Sequence, residues 1–188
     1  MKKSFLLCLP LMAVGAPALA EAPAGFRLEL MAGYDRPQAR FADAATTPRK
    51  SLNSAFYGGG IGFDAAMGTA FSVGADAELT FSTADSSSQG GEISLNKDLY
   101  VGGRITGSVS DTFNVYAKAG YTNLEVDYRH PANAAAPRLA GHLNGVRGAL
   151  GVQVVADEGA YYGFEGRYSD YEKGVTRKQA MLVVGTRF

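Results

Sequence analysis

Two histidines and one cysteine are the only imidazole and thiol groups that this chain of 188 residues offers for metal ligation or nucleophilic chemistry. Cys8 lies inside an N-terminal apolar run, so removal of that run leaves neither a disulfide nor a thiol nucleophile. His130 stands beside Pro131, and His142 belongs to the same stretch, 123 to 142. Acyl-ester chemistry needs a serine, a histidine and an orienting carboxylate held together, and neither histidine has a serine two positions on. Both read as solvated loop residues. The run Gly58-Gly59-Gly60-Ile61-Gly62 has the glycine density of a phosphate-binding loop without its strand-to-helix setting or its lysine. No catalytic residue, cofactor or metal site is therefore expected, and the chain is not expected to be an enzyme.

More informative are charged residues that recur at every second position among apolar or small ones. Glu29, Asp76, Glu78, Arg104, Lys118, Arg147, Glu165 and Arg167, together with Arg27 and Arg187, follow this pattern. Period two sends successive side chains to opposite faces of a strand. In 71 to 82 it sets Phe71, Val73, Ala75, Ala77, Leu79 and Phe81 against Ser72, Gly74, Asp76, Glu78, Thr80 and Ser82. The same alternation runs through 26 to 35, 55 to 65, 98 to 108, 113 to 122, 146 to 155, 162 to 169 and 179 to 188, which makes eight strands. Pro23, Pro37, Pro48, Pro131 and Pro137 fall between these segments, where a residue without an N–H breaks no ladder.

At the N-terminus Lys2 and Lys3 precede an apolar run from Phe5 to Ala16 and then Ala18-Leu19-Ala20, the pattern of a secretory signal peptide cut after Ala20. A membrane anchor needs about 20 apolar residues, whereas this run is short and holds Pro10 and Pro17. Residues 21 to 188 then form one domain. Their 16 bases against 18 acids give no electrostatic reason to expect nucleic-acid binding. No later segment has 18 consecutive apolar residues, so any membrane span must be made of strands.

Length, connections and aromatic placement put the strands in a bilayer. Each segment is near the ~9–11 residues that a tilted strand needs to cross, whereas soluble strands usually run to about 5–6. Connections 36 to 54, 83 to 97 and 123 to 142 are long and 65 to 70, 109 to 112 and 156 to 160 short, with 172 to 176 a short exception on the long side. Outer-membrane barrels keep long loops outside and short turns in the periplasm. In that orientation Phe26, Phe63, Phe71, Phe113, Tyr162 and Phe188 collect at the periplasmic ends of strands, and Tyr34, Tyr57, Phe81, Tyr121 and Tyr168 at the outer ends. Two such girdles mark the bilayer interfaces. The sequence thus reads as all-β, an eight-stranded antiparallel up-and-down transmembrane β-barrel. Its rival is a soluble sandwich or lipocalin-like barrel, in which the apolar face would point inward.

With its leader, its eight alternating segments and its last strand AMLVVGTRF, the chain resembles the small outer-membrane β-barrel superfamily of OmpA-, OmpX- and opacity-protein-like barrels over the whole of 21 to 188. The resemblance implies residence in the outer membrane of a Gram-negative bacterium, contact with its lipid and lipopolysaccharide, and recognition of Phe188 by the barrel-assembly machinery. Thr186 departs from the more strongly apolar residue often found at its place. The peptidoglycan-binding domain of longer OmpA-type proteins is expected to be absent, and the barrel to be a monomer.

An eight-stranded interior is narrow enough to be filled by side chains. The ten charged residues, six bases and four acids, are expected to line it and to pair, Asp76 and Glu78 with Arg104, and Glu165 with Arg104 or Lys118. A plugged lumen points to a structural or surface protein. The alternatives are a narrow porin-like channel for small solutes, and an adhesin or ligand-binding protein acting through its outer loops. One such loop is basic, with Arg36, Arg40, Arg49 and Lys50 against Asp43. N-terminal sequencing of protein extracted from membranes should begin at Glu21; retention of residues 1 to 20 would contradict a cleaved leader.

Overall fold

The computed structural model describes residues 21–39, 50–51, 53–83, 85–88, 91–129, 139–156 and 159–188. Ten strands run in chain order: β1 (Gly25–Ala39), β2 (Lys50–Ser51), β3 (Ser54–Ala66), β4 (Phe71–Ser82), β5 (Asp85–Ser88), β6 (Gly91–Ser110), β7 (Phe113–Arg129), β8 (Leu139–Val155), β9 (Ala160–Tyr171) and β10 (Val175–Arg187). Eight of them form one antiparallel wall in the order β1, β3, β4, β6, β7, β8, β9, β10, and β10 pairs β1 to close it. The two short strands are additions at the outer end, β2 beside β1 and β5 beside β6. The closing seam runs from Arg27 opposite Arg187 to Ala39 opposite Val175. Phe188 extends it by one bond, its N–H donating to the carbonyl of Phe26 at 2.9 Å.

The wall is apolar outside and charged inside. Leu150 is 71% exposed and Phe188 78%, whereas Glu165 is 0% exposed and Arg104 2%. That distribution is opposite to a soluble barrel's and suits a solvent of hydrocarbon. Both girdles contain cross-strand aromatic contacts: Phe26 meets Phe63 edge-on with centroids 4.9 Å apart, and Tyr57 lies 5.9 Å from Phe81. On the short-turn side Ser110 leads through Asp111 and Thr112 into Phe113. The tight outer connection is a 3-10 turn over Glu172–Gly174, where Lys173 and Gly174 take left-handed φ angles of 60° and 71°.

Much of what reads as long connections is strand. β6 begins at Gly91, β7 continues to Arg129, and β8 starts at Leu139. These ends carry polar residues outward, such as Lys97, Asn123, Glu125, His142 and Asn144, so the apolar alternation fades while the ladder continues. A register slip between Leu95 and Asp98 marks the passage on β6, as a bulge does where a strand changes its twist. Pro37 also lies inside a strand, β1, opposite Arg177. Pairing of β1 with β3 ends at Asp35 and Ser54, so Pro37 sits where β1 has lost that neighbour and tolerates a missing donor.

Leu150→Arg, on the outer face of β8 between the girdles, should lower unfolding free energy by about 2–4 kcal/mol in urea titrations of protein refolded into phospholipid vesicles. An unchanged midpoint would mean that this face is not covered by hydrocarbon.

Candidate functional site: the charged lumen

Strand alternation in a closed wall forces every second residue into a space too narrow for bulk water to do the solvating. The lumen therefore has to satisfy its own charges. Toward the periplasm Arg27 reaches Asp64 at 2.6 Å, Asp76 at 2.8 Å and Glu29 at 2.8 Å, and Arg187 adds a second cation to Asp64 at 3.1 Å. Gly62 makes the room: a Cβ there would stand 2.5 Å from an Arg27 nitrogen and 2.8 Å from Asp76.

The middle layer centres on Lys118. Its ammonium lies 2.7 Å from Glu78, 3.1 Å from Glu165 and 3.6 Å from Glu29. Arg104 approaches Glu29 at 3.0 Å and stacks on Tyr116, 3.8 Å from the ring centroid. Arg167 pairs with Glu165 and, at 2.7 Å, with Glu78. The Tyr116 hydroxyl donates to Glu165 at 2.7 Å, and the Tyr161 hydroxyl to Glu29 at 2.8 Å.

Further out, Asp98 gathers Arg147, Arg177 at 2.7 Å and the hydroxyl of Tyr171 at 2.8 Å, while Arg177 also holds Asp35. Above this layer the lining turns apolar. Leu124 and Tyr171 are buried together, with Val126, Leu143 and Val175 packed around them. This apolar cluster lies on the outer flank of the charged layers along β7 to β10. A second apolar cluster, Met31, Phe56, Tyr161, Met181 and Val183, fills the side of the lumen formed by β1, β3, β9 and β10. Beyond the bilayer a surface ion pair of 2.9 Å joins Lys97 on β6 to Glu125 on β7, and the hydrogen bond from Lys97 holds the Glu125 carboxyl below its usual range.

All eight residues singled out from the sequence, Glu29, Asp76, Glu78, Arg104, Lys118, Arg147, Glu165 and Arg167, lie inside and are at most 4% exposed. The pairings differ in part. Glu165 does meet Lys118, but Arg104 pairs with Glu29, leaving Asp76 to Arg27 and Glu78 to Lys118 and Arg167. Asp35, Asp64, Asp98 and Arg177 were missing from that expectation. Asp35, Asp64 and Asp98 already stand on the inward phase of segments 26 to 35, 55 to 65 and 98 to 108, and Arg177 continues that of the last strand by one step, so phase alone would have found them. With them the described lumen holds seven cations and seven carboxylates, so its formal charge is zero. Every one of these acids is engaged by a cation, and among the described residues no group of His, Cys, Asp and Glu is disposed to hold a metal.

The remaining candidates lie elsewhere. Arg36 is a residue of β1 rather than of a loop, exposed and opposite Lys178 of β10. Lys50 falls in β2, and Arg40, Arg49, His130 and the leader 1 to 20 lie outside the described residues. His142 is an exposed strand residue of β8 opposite Glu125. Phe188 faces outward in the periplasmic girdle.

A closed eight-stranded barrel with this inside-out polarity is an integral outer-membrane protein. The outer membrane protein beta-barrel domain matches residues 6–188, and the chain belongs to that family. Its place is the outer membrane of a Gram-negative cell, in contact with the lipid there. No curated protein matches the sequence. Among solved structures it is similar in fold to Neisserial surface protein A (12% identity, 89% of this chain and 100% of that one, TM-score 0.62). It is also similar to Ail, the attachment invasion locus protein of Yersinia pestis, in complex with the heparin analogue sucrose octasulfate (13%, 87% and 99%, 0.60). A third is OprG from Pseudomonas aeruginosa (14%, 90% and 99%, 0.51).

Removing Lys118 leaves three carboxylates short of a shared cation. Lys118→Met should therefore destabilise the barrel by about 3–5 kcal/mol, read as a lowered urea midpoint in vesicles. An unshifted midpoint would mean that the three acids do not depend on it.

Proposed function

We propose that the protein is a structural or surface component of the outer membrane with a closed, charge-paired lumen. The observation that supports this reading is the neutral, buried ion-pair network in the bore, with the Leu124 and Tyr171 cluster on its outer flank. An ion crossing it has to displace a buried pair, and breaking one such pair costs about 3–5 kcal/mol. The protein acts as a monomer, is inserted by the barrel-assembly machinery through its last strand and Phe188, and carries no enzymatic activity. Export by the leader 1 to 20 precedes insertion.

A second reading, adhesion or ligand binding at the outer end, is favoured by the projection of β6, β7 and β8 beyond the girdle. Arg40, Arg49 and Lys50 are the bases it would use toward an acidic partner. Binding of a heparin-type polyanion to cells displaying the protein should fall on deletion of residues 40 to 49; unaltered binding rejects this second role.

Planar-bilayer recordings separate the closed reading from a narrow pore. Wild-type protein should give no steady conductance. Reproducible conductance that changes on Glu78→Ala or Arg104→Ala would overturn the closed lumen and support solute passage.

A further inference from the structure

Residues 21–24, ahead of β1, belong to no strand, yet Ala22 is 5% exposed and Pro23 is buried. Gly25 turns them inward. Its φ of 112° lies in a region that favours glycine, and a Cβ there would stand 2.0 Å from the carbonyl oxygen of Phe188. Further along, the Ser108 hydroxyl of β6 donates to the carbonyl of Glu21 at 3.2 Å. Ser108 shares the inward phase of Arg104 and Thr106, so the bond is made on the bore side of the wall. Between β1 and β6 stand β3 and β4. Three strand spacings of about 4.8 Å make roughly 14 Å along the wall, and four extended residues span roughly 13 Å. The segment is therefore long enough to cross the mouth as a chord. Pro23 keeps Ala22 extended and brings no N–H into the bore to be satisfied.

At this end of the bore the lining changes from charged to neutral. Ser72, Thr106, Asn114 and Gln153 are at most 4% exposed. They adjoin around the wall, Ser72 opposite Thr106, and Asn114 opposite both Ser108 and Gln153. Ser72 is the second residue of β4 and Asn114 the second of β7, close to the short-turn rim, where an uncovered bore would leave them exposed. The Ser72 hydroxyl and both amide atoms of Gln153 have no hydrogen-bond partner among the described residues. A buried polar group without a partner is costly, and opening to water removes that cost. The segment has the Ser108 bond and two small buried side chains to hold it, whereas the layers above are held by ion pairs, so it is released more readily than they are.

We propose that residues 21–24 are a lid over the periplasmic end of the bore, hinged at Gly25 and latched on Ser108. Its release opens a vestibule of neutral hydrogen-bonding side chains, with Ser72, Asn114 and Gln153 in its wall, to water and small uncharged solutes. The charged layers above stay closed in both states, so the lid controls hydration of one end of the barrel and not passage through it.

Residues 21 to 188 contain no cysteine, so Gln153→Cys places a single thiol in the vestibule, at a side chain whose loss breaks no hydrogen bond. Reaction of that thiol with iodoacetamide, which is small and uncharged, is followed by mass spectrometry of the refolded chain 21 to 188 in detergent micelles. Deletion of residues 21 to 24 should speed labelling at least tenfold, with Ser108→Ala between the two. Heat-modifiable gel mobility reports folding of each form, and Ser108→Ala suffices if the shortened chain fails to fold. Equal rates in the three forms, or labelling of the unshortened chain as fast as in urea, would overturn the lid. Planar-bilayer conductance should be the same with and without residues 21 to 24. Steady conductance gained by the shortened chain alone would make the segment itself the closure of the bore and overturn the proposal.

Discussion

Hydrocarbon offers a peptide group no hydrogen-bond partner, and each group left unsatisfied there costs several kcal/mol. A chain that crosses with strands therefore cannot end its sheet at an edge, and the pairing of β10 with β1 along thirteen partner positions follows from that constraint. Closure in turn fixes what faces where. Because side chains alternate, the residues that keep lipid outside, such as Leu28, Leu30 and Leu182, commit their neighbours to an interior that only a few side-chain layers fill. The charges of the lumen are thus a consequence of closure and a risk to it.

The risk is met by mutual neutralisation. Single pairs would leave lone pairs and N–H groups unsatisfied, so the lumen uses shared ions instead. Lys118 serves three carboxylates, Arg27 three, and Asp98 two guanidinium groups and a phenol. Tyrosines from β7 and β9 complete the coordination of Glu165, Glu29 and Asp98. Glycines beneath the large side chains give them space: a Cβ on Gly151 would lie 2.2 Å from the Tyr116 ring. The contacts that hold the barrel together thus also occupy its bore.

How much of this was legible in the sequence depends on which physical signal each part carries. The eight membrane strands were legible because lipid on one side and charge on the other impose a period of two, as in Phe71 to Ser82. Outside the bilayer that pressure ends, so the ladder from Leu124 to Tyr128 and the start of β8 looked like loop although they are paired strand. Pro37 misled for a related reason, since a proline marks the end of a central strand but not of one that has lost a neighbour. In the lumen, membership was readable from phase: Asp35, Asp64 and Asp98 stand on the inward faces of their segments, and Arg177 lies one step beyond the last one. Pairing was not readable, because partners such as Arg177 and Asp98 are brought together by barrel curvature across strands that are not adjacent.

The central claim is that buried charges in the bore are held by one another, so that losing both members of a pair harms less than the separate losses imply. A double-mutant cycle on Asp35→Asn and Arg177→Gln, with unfolding free energies measured in lipid vesicles, tests it most directly. The account predicts that the double variant is more stable than the sum of the single losses by about 1–3 kcal/mol. Strictly additive losses would contradict it.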